Sequence, residues 1–109
     1  MDELIPWLHD QMSAQRLRAD SLKAIAAALP HETGAYLVET ADLLLAEVDA
    51  KRRILERHVS EEHFLHGTIC TWCSVPQGGA YQSWPCPDIR DSASPYADMP
   101  GYQERWRLP

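Results

Sequence analysis

The sequence lacks long apolar runs, a basic start and an even number of cysteines. Its longest wholly apolar stretch covers residues 24–29, which is far too short to span a bilayer. The first residues are acidic, the reverse of a secretory signal, so we expect a cytoplasmic protein. Because an odd number of cysteines in a reducing compartment disfavours a disulfide framework, metal binding is the better use for them.

The chain also lacks a basic surface. Its formal net charge is −6, and acidic residues outnumber basic ones in both halves. The basic cluster at residues 51–57 is interleaved with acidic side chains, so it would attract phosphate only weakly. These features exclude a membrane partner, disfavour a nucleic acid and indicate a solvated, salt-bridged helix face.

No motif of a known enzyme class is present. The sequence has no glycine-rich phosphate loop, no GxSxG elbow and no HExxH or HxE arrangement around Glu61 and Glu62. We therefore expect that the protein is not an enzyme.

Apolar residues at helical spacing predict two long helices within residues 1–59. The first begins near Asp2 and either continues with a bend, which is the favoured interpretation, or restarts near Ser21. Pro30 and Gly34 then turn the chain. The second helix has a seam that alternates steps of four and three and includes Leu37, Ala41, Leu44, Val48, Lys51, Leu55 and His58. The predicted fold class is therefore mainly α, with a long helical hairpin whose seam forms the core or, alternatively, a homodimer contact.

Residues 60–109 have a different composition, with repeated prolines and short mixed segments. Such a segment orders itself only at a cost of about 1–2 kcal/mol per fixed residue, so it needs a cross-link. The pattern predicts a small hairpin of residues 68–71 with 80–83, a short helix from Pro87, and another short helix capped by Asp98. We expect residues 60–109 to form an aromatic-rich, metal-binding segment that packs on the helical hairpin within one domain.

The three cysteines have the spacing of a metal site. Cys70 and Cys73 are separated by two residues, so one tight turn can offer both thiolates to a single ion. Cys86 lies just before Pro87, where a helix N-terminus would favour its thiolate. Unmetalled thiols and a thioredoxin-like redox pair are alternatives, although no strand-helix-strand pattern surrounds the pair.

A fourth ligand is needed, and His58 is the predicted one. The helix that ends there can present the imidazole from a fixed scaffold, whereas His63 and His66 are rival ligands in the following segment. The predicted cofactor is a structural Zn²⁺, with an iron-sulfur cluster on the same ligands and a hydrolase with an open zinc site as alternatives. The predicted role is a small interaction or regulatory module, whose long helices contact a protein partner or a second copy.

Several motifs lie in a fixed order along the chain: MDELI at residues 1–5, EVDAKRRILERH at 47–58, the CxxC, PCPDIR at 85–90, and PYADMPGY at 95–102 with Trp106. Together they resemble a family of short actinobacterial and actinophage proteins of unknown function, over roughly half of the chain and outside residues 13–40. The resemblance implies that His58 and the three cysteines belong together, and it implies no catalytic residue. Met99 stands where the relatives have histidine, and residues 91–94 are more polar than theirs.

Overall fold

A computed structural model describes residues 3–108, and these residues are mainly helical. The elements are α1 (Leu4–Ala26), α2 (His31–Arg57), β1 (Ser60–His63), β2 (Gly67–Cys70), α3 (Pro87–Ala93) and the 3-10 turns Pro76–Gly78, Ser94–Tyr96 and Glu104–Trp106. The predicted fold class, a long helical hairpin followed by a small irregular region with short C-terminal helices, is confirmed. No helix among these residues is long and apolar enough to cross a membrane.

The chain divides into two compact units, the first ending at Lys51 and the second beginning at Arg52. Helix α2 continues through this division. The expectation that residues 60–109 pack on the helical hairpin as one domain stays a prediction.

The first unit is an antiparallel pair formed by α1 and the beginning of α2. Two ion pairs show the register, because Arg16 contacts Asp49 at 2.7 Å and Lys23 contacts Asp42 at 2.8 Å. These side chains are 39–59% exposed, so each pair contributes little free energy. Stability comes instead from stripes of buried side chains, which are Leu4, Leu8, Met12, Ala19 and Ala26 on α1 and Ala41 and Val48 on α2.

Helix α1 continues through its polar middle, as predicted. The turn between the two helices ends before Gly34, which the sequence had placed within the turn. The helix ends at Ala26 and α2 already begins at His31, directly after Pro30. Proline is well tolerated immediately before a helix because its missing N–H would have no intrahelical partner there. The start predicted near Asp2 lies outside the described residues.

Gly34 allows the two helices to approach closely at this turn. A Cβ atom built on Gly34 would lie 2.7 Å from the backbone oxygen of Ala26, and this distance would be a steric clash. The glycine is therefore required by the close approach of α2 to the end of α1.

Gly34→Ala should consequently destabilise the hairpin, although alanine is the better helix former. We expect a loss of about 1–3 kcal/mol in the free energy of unfolding, since backbone must move to relieve the overlap. Chemical denaturation followed by circular dichroism at 222 nm measures it, with the exposed neighbour Thr33→Ala as the control for helix propensity. Equal or greater stability of Gly34→Ala would contradict the close approach.

The predicted seam of α2 lies on the buried side of the helix. Ala41, Val48, Leu55 and His58 are all at most 5% exposed, while Leu37, Leu44 and Lys51 are half-buried. Helix α2 ends at Arg57, and the backbone N–H of His58 still donates to the Ile54 oxygen at 3.1 Å. The end of the helix thus fixes the backbone from which the His58 imidazole extends.

Strands β1 and β2 form an antiparallel hairpin with Ser60 opposite Cys70 and His63 opposite Gly67. This pairing was not predicted, because the polar residues of β1 show no alternation. The predicted pairing of residues 68–71 with 80–83 exists only as an isolated bridge, between Ile69 and Ser83, which the Cys70 N–H reinforces by donating to the Gln82 oxygen at 2.8 Å.

The C-terminal elements agree with the sequence in part. Pro87 begins α3, as predicted, and Ile89 within it is fully buried. The helix predicted after Asp98 is wrong, because Pro100 lacks a backbone N–H and Gly101 has a φ of 91°, which no α-helix accommodates. The chain instead forms a 3-10 turn, Glu104–Trp106, whose carbonyls are bound by the guanidinium of Arg90.

Candidate metal centre

Four side chains from separate elements of the second unit converge on one point. His58 follows α2, Cys70 ends β2, Cys73 lies in the next turn, and Cys86 occupies the cap position before α3. Their ligand atoms all lie within 4.8 Å of one another. His58, Cys70 and Cys86 are buried, and Cys73 is half-buried.

Backbone hydrogen bonds hold the CxxC turn in place. The Thr71 N–H and its hydroxyl both donate to the Val59 oxygen, at 2.9 and 3.0 Å. The Ser74 N–H donates to the Cys70 oxygen at 3.1 Å and closes the turn. The two sulfurs of the CxxC are thereby fixed beside the residue that follows α2.

The distances suit one ion rather than a loose collection of thiols. The Nδ1 atom of His58 lies 3.3 Å from the Cys70 sulfur, 3.4 Å from the Cys73 sulfur and 3.3 Å from the Cys86 sulfur. In a tetrahedron with Zn–S bonds of about 2.3 Å and Zn–N bonds of about 2.0–2.1 Å, nitrogen and sulfur would stand about 3.5–3.6 Å apart. Three nearly equal nitrogen–sulfur distances close to this value are compatible with one ion bound by all four side chains.

Deprotonation of the clustered cysteines would require a cation. Burial, and then the neighbouring Cys70 and Cys86 thiols, raise the pKa of Cys73 to about 12. Burial likewise raises the pKa of Cys86, against a smaller opposite effect of the Ile89 backbone. Because three thiolates repel one another at such distances, only a bound cation can hold all three sulfurs deprotonated at neutral pH.

The opposite ring nitrogen of His58 faces a carboxylate that the sequence reasoning missed. Its Nε2 atom lies 3.5 Å from the Oδ2 atom of Asp88, on the first turn of α3. A carboxylate behind a ligating imidazole fixes the ring orientation and increases the basicity of the nitrogen that binds the metal. The only sequence signal was the position of Asp88 two residues after Cys86.

Asp88→Asn should therefore weaken metal binding without abolishing it. We expect the metal affinity to fall about tenfold. This is the lower end of the range for carboxylates that hydrogen-bond to a metal ligand, since the Asp88 side chain is 62% exposed. Competition with a chromophoric chelator measures the affinity. Asp91→Asn is the matched control, because Asp91 lines the same cleft as His58 and Asp88, one turn further along α3. Equal affinity of the two variants would remove the role given to Asp88.

The rival histidines lie at the turn of the β-hairpin and not at the sulfurs. The Nδ1 atom of His63 accepts the backbone N–H groups of Leu65 at 3.1 Å and His66 at 3.3 Å. The His66 ring stacks on Tyr81 with a centroid distance of 4.2 Å. Both histidines therefore shape the turn, and of the three candidates the structure brings only His58 to the cysteines.

Four protein ligands would fill a tetrahedral shell completely. A shell of this kind has no open position for water or substrate, in contrast to catalytic zinc sites with three protein ligands. The arrangement is chemically suited to holding chain segments together.

The fold and the cluster define a class: a small helical-hairpin protein with a buried group of one histidine and three cysteines that could hold a metal ion. The chain belongs to a family of unknown function, DUF6221, whose model matches residues 1–108. The predicted membership in an uncharacterised family is confirmed, and the match includes residues 13–40, which the motifs had left out. No curated protein and no solved structure matches the chain.

Proposed function

We propose that the protein is a small cytoplasmic interaction module whose second unit is held together by a structural zinc ion. The observation that carries the proposal is the convergence of four ligand atoms, from His58, Cys70, Cys73 and Cys86, within 4.8 Å. Zinc is the metal that tetrahedral sites of sulfur and imidazole most often hold.

The close spacing favours one ion over an iron-sulfur cluster. In a cluster the protein ligands bind different iron atoms, so their donor atoms stand further apart than around a single ion. Here one nitrogen lies within 3.4 Å of all three sulfurs. Elemental analysis and a visible spectrum test this proposal: a colourless protein with one zinc per chain supports it, and a brown protein with iron overturns it.

A structural role fits the small core of the second unit. The large apolar side chains buried there include Leu55, Ile69, Ile89, Tyr96 and Trp106, which is a small set for so irregular a segment. A bound ion contributes its binding free energy to folding, with apparent values of about 10–16 kcal/mol for structural zinc. The metal would therefore decide whether this unit is ordered.

The interaction role rests on one face of α2 in the first unit. Tyr36 is 70% exposed and Leu43 is 60% exposed, and they lie seven residues apart on one side of the helix. Glutamates between and beside them at helical steps, Glu39, Glu32 and Glu47, are exposed on the same side. This face, the acidic stripe, suits a protein partner that places basic side chains around an apolar centre.

The acidic stripe disfavours a second copy as its occupant, since pairing two such faces would bring like charges together. Sedimentation velocity at rising protein concentration tests this point, and a dimer that is lost on Tyr36→Ser would overturn it.

The partner itself can be captured from the host with the wild-type protein as bait. Capture should weaken with Tyr36→Ser and with added salt. It should survive Leu17→Ser, which removes an equally exposed side chain from α1. Equal effects of the two substitutions would also reject the stripe.

A further inference from the structure

The three cysteines of the metal centre differ in their exposure to solvent. Cys70 and Cys86 are both 0% exposed, whereas Cys73 is half-buried. Cys73 also lies in an exposed turn, directly after Trp72, which is 60% exposed. A small oxidant in water can therefore approach Cys73 more easily than the two fully buried cysteines.

We propose that Cys73 is an oxidation site through which hydrogen peroxide opens the metal centre, as a reversible regulation of the proposed zinc module. The proposal rests on the metal-binding function above. It adds that the site responds to oxidant, with Cys73 as the first sulfur to react and a buried sulfur, that of Cys70 or Cys86, as its disulfide partner.

The chemistry uses two sulfurs and one peroxide. The Cys73 sulfur donates an electron pair to one peroxide oxygen, the S–O bond forms, the O–O bond breaks, and hydroxide leaves and is protonated to water. A second sulfur then attacks Cys73, the S–S bond forms, and the S–O bond breaks with loss of a second water. The two sulfurs lose two electrons in total, and the peroxide is reduced to two waters.

The positions of the neighbouring sulfurs make the second step fast compared with further oxidation. The sulfurs of Cys70 and Cys86 lie within 4.8 Å of the Cys73 sulfur, so a small side-chain rotation brings either into contact with it. Forming the disulfide removes two of the four ligands, and the remaining pair cannot retain the ion in competition with a chelator. A dithiol reductant reverses the bond and restores the site.

The experiment treats the zinc-loaded protein with substoichiometric hydrogen peroxide and follows zinc release with a chromophoric chelator. Chymotrypsin cleaves after Trp72 and Tyr81, so the three cysteines fall on separate peptides and mass spectrometry can identify the pairing. We expect one zinc released per disulfide, with Cys73 in every disulfide formed first. A first disulfide between Cys70 and Cys86, or oxidation without zinc release, would overturn the proposal.

Cys73→His provides the matched variant, because imidazole can replace the thiolate as a zinc ligand but cannot form a disulfide. We expect this variant to release zinc at least tenfold more slowly than the wild type under the same peroxide. Release at the wild-type rate would contradict the role of Cys73. If the variant does not fold, the peptide mapping of the wild type decides alone. A wild-type protein purified without zinc would instead reject the proposed metal function, which separates the two failures.

Discussion

Cys86→Ser should abolish stable metal binding and disorder much of the second unit. Cys86 is the proposed ligand that connects α3 to the other three, and a serine hydroxyl is a poor donor for zinc at neutral pH. The Cys70 and Cys73 sulfurs would then remain beside His58 without a complete shell. Elemental analysis after gel filtration should show less than about a tenth of the wild-type metal, since even small defects in such shells cost orders of magnitude in affinity.

The control for this substitution uses the rival histidines. A double variant, His63→Ala with His66→Ala, should keep the full metal content, because both rings serve the hairpin turn and not the cluster. Metal retained by Cys86→Ser, or lost from the histidine variant, would show that the ligands have been assigned incorrectly.

Removing the metal from the wild type should disorder the second unit while most of the helical structure of α1 and α2 persists. Trp72, Trp84 and Trp106 belong to the second unit and only Trp7 to the first, so the near-ultraviolet circular dichroism reports mainly on the second unit. With a chelator we expect most of this signal to disappear, while most of the helical signal at 222 nm from α1 and α2 persists. The binding energy of structural zinc, about 10–16 kcal/mol, is as large as the whole stability of a typical domain, about 5–15 kcal/mol.

Stoichiometric zinc should restore the near-ultraviolet signal, and magnesium should not, because magnesium prefers oxygen ligands. A metal-free protein with an unchanged near-ultraviolet spectrum would contradict the dependence of the second unit on the ion. Unfolding of α1 and α2 together with the second unit would instead show that the two units fold cooperatively.

The candidate site could be predicted from the sequence because its residues lie in segments with recognisable local patterns. The spacing of Cys70 and Cys73 indicated one turn, and Pro87 placed Cys86 at the start of a helix. The predicted end of α2 distinguished His58 from its rivals, because a helix presents the imidazole from a fixed scaffold. Candidate ligands whose positions are fixed by the helix or turn on which they lie could therefore be proposed from residue spacing.

The features that the sequence missed depend on contacts between distant residues. Strand β1 is polar throughout, so only its pairing with β2 makes it a strand. Asp88 is an ordinary acidic residue until α3 places it 3.5 Å from the Nε2 atom of His58. The helix predicted after Asp98 had the right apolar spacing, but the backbone at Gly101 prevented it.

X-ray absorption at the metal edge of the purified protein is the most direct test of a single ion held by His58, Cys70, Cys73 and Cys86. The geometry predicts zinc with three sulfurs at about 2.3 Å and one nitrogen at about 2.0–2.1 Å, and no metal–metal scattering. A shell of oxygen and nitrogen alone, scattering from a neighbouring iron atom, or protein without any transition metal would contradict it.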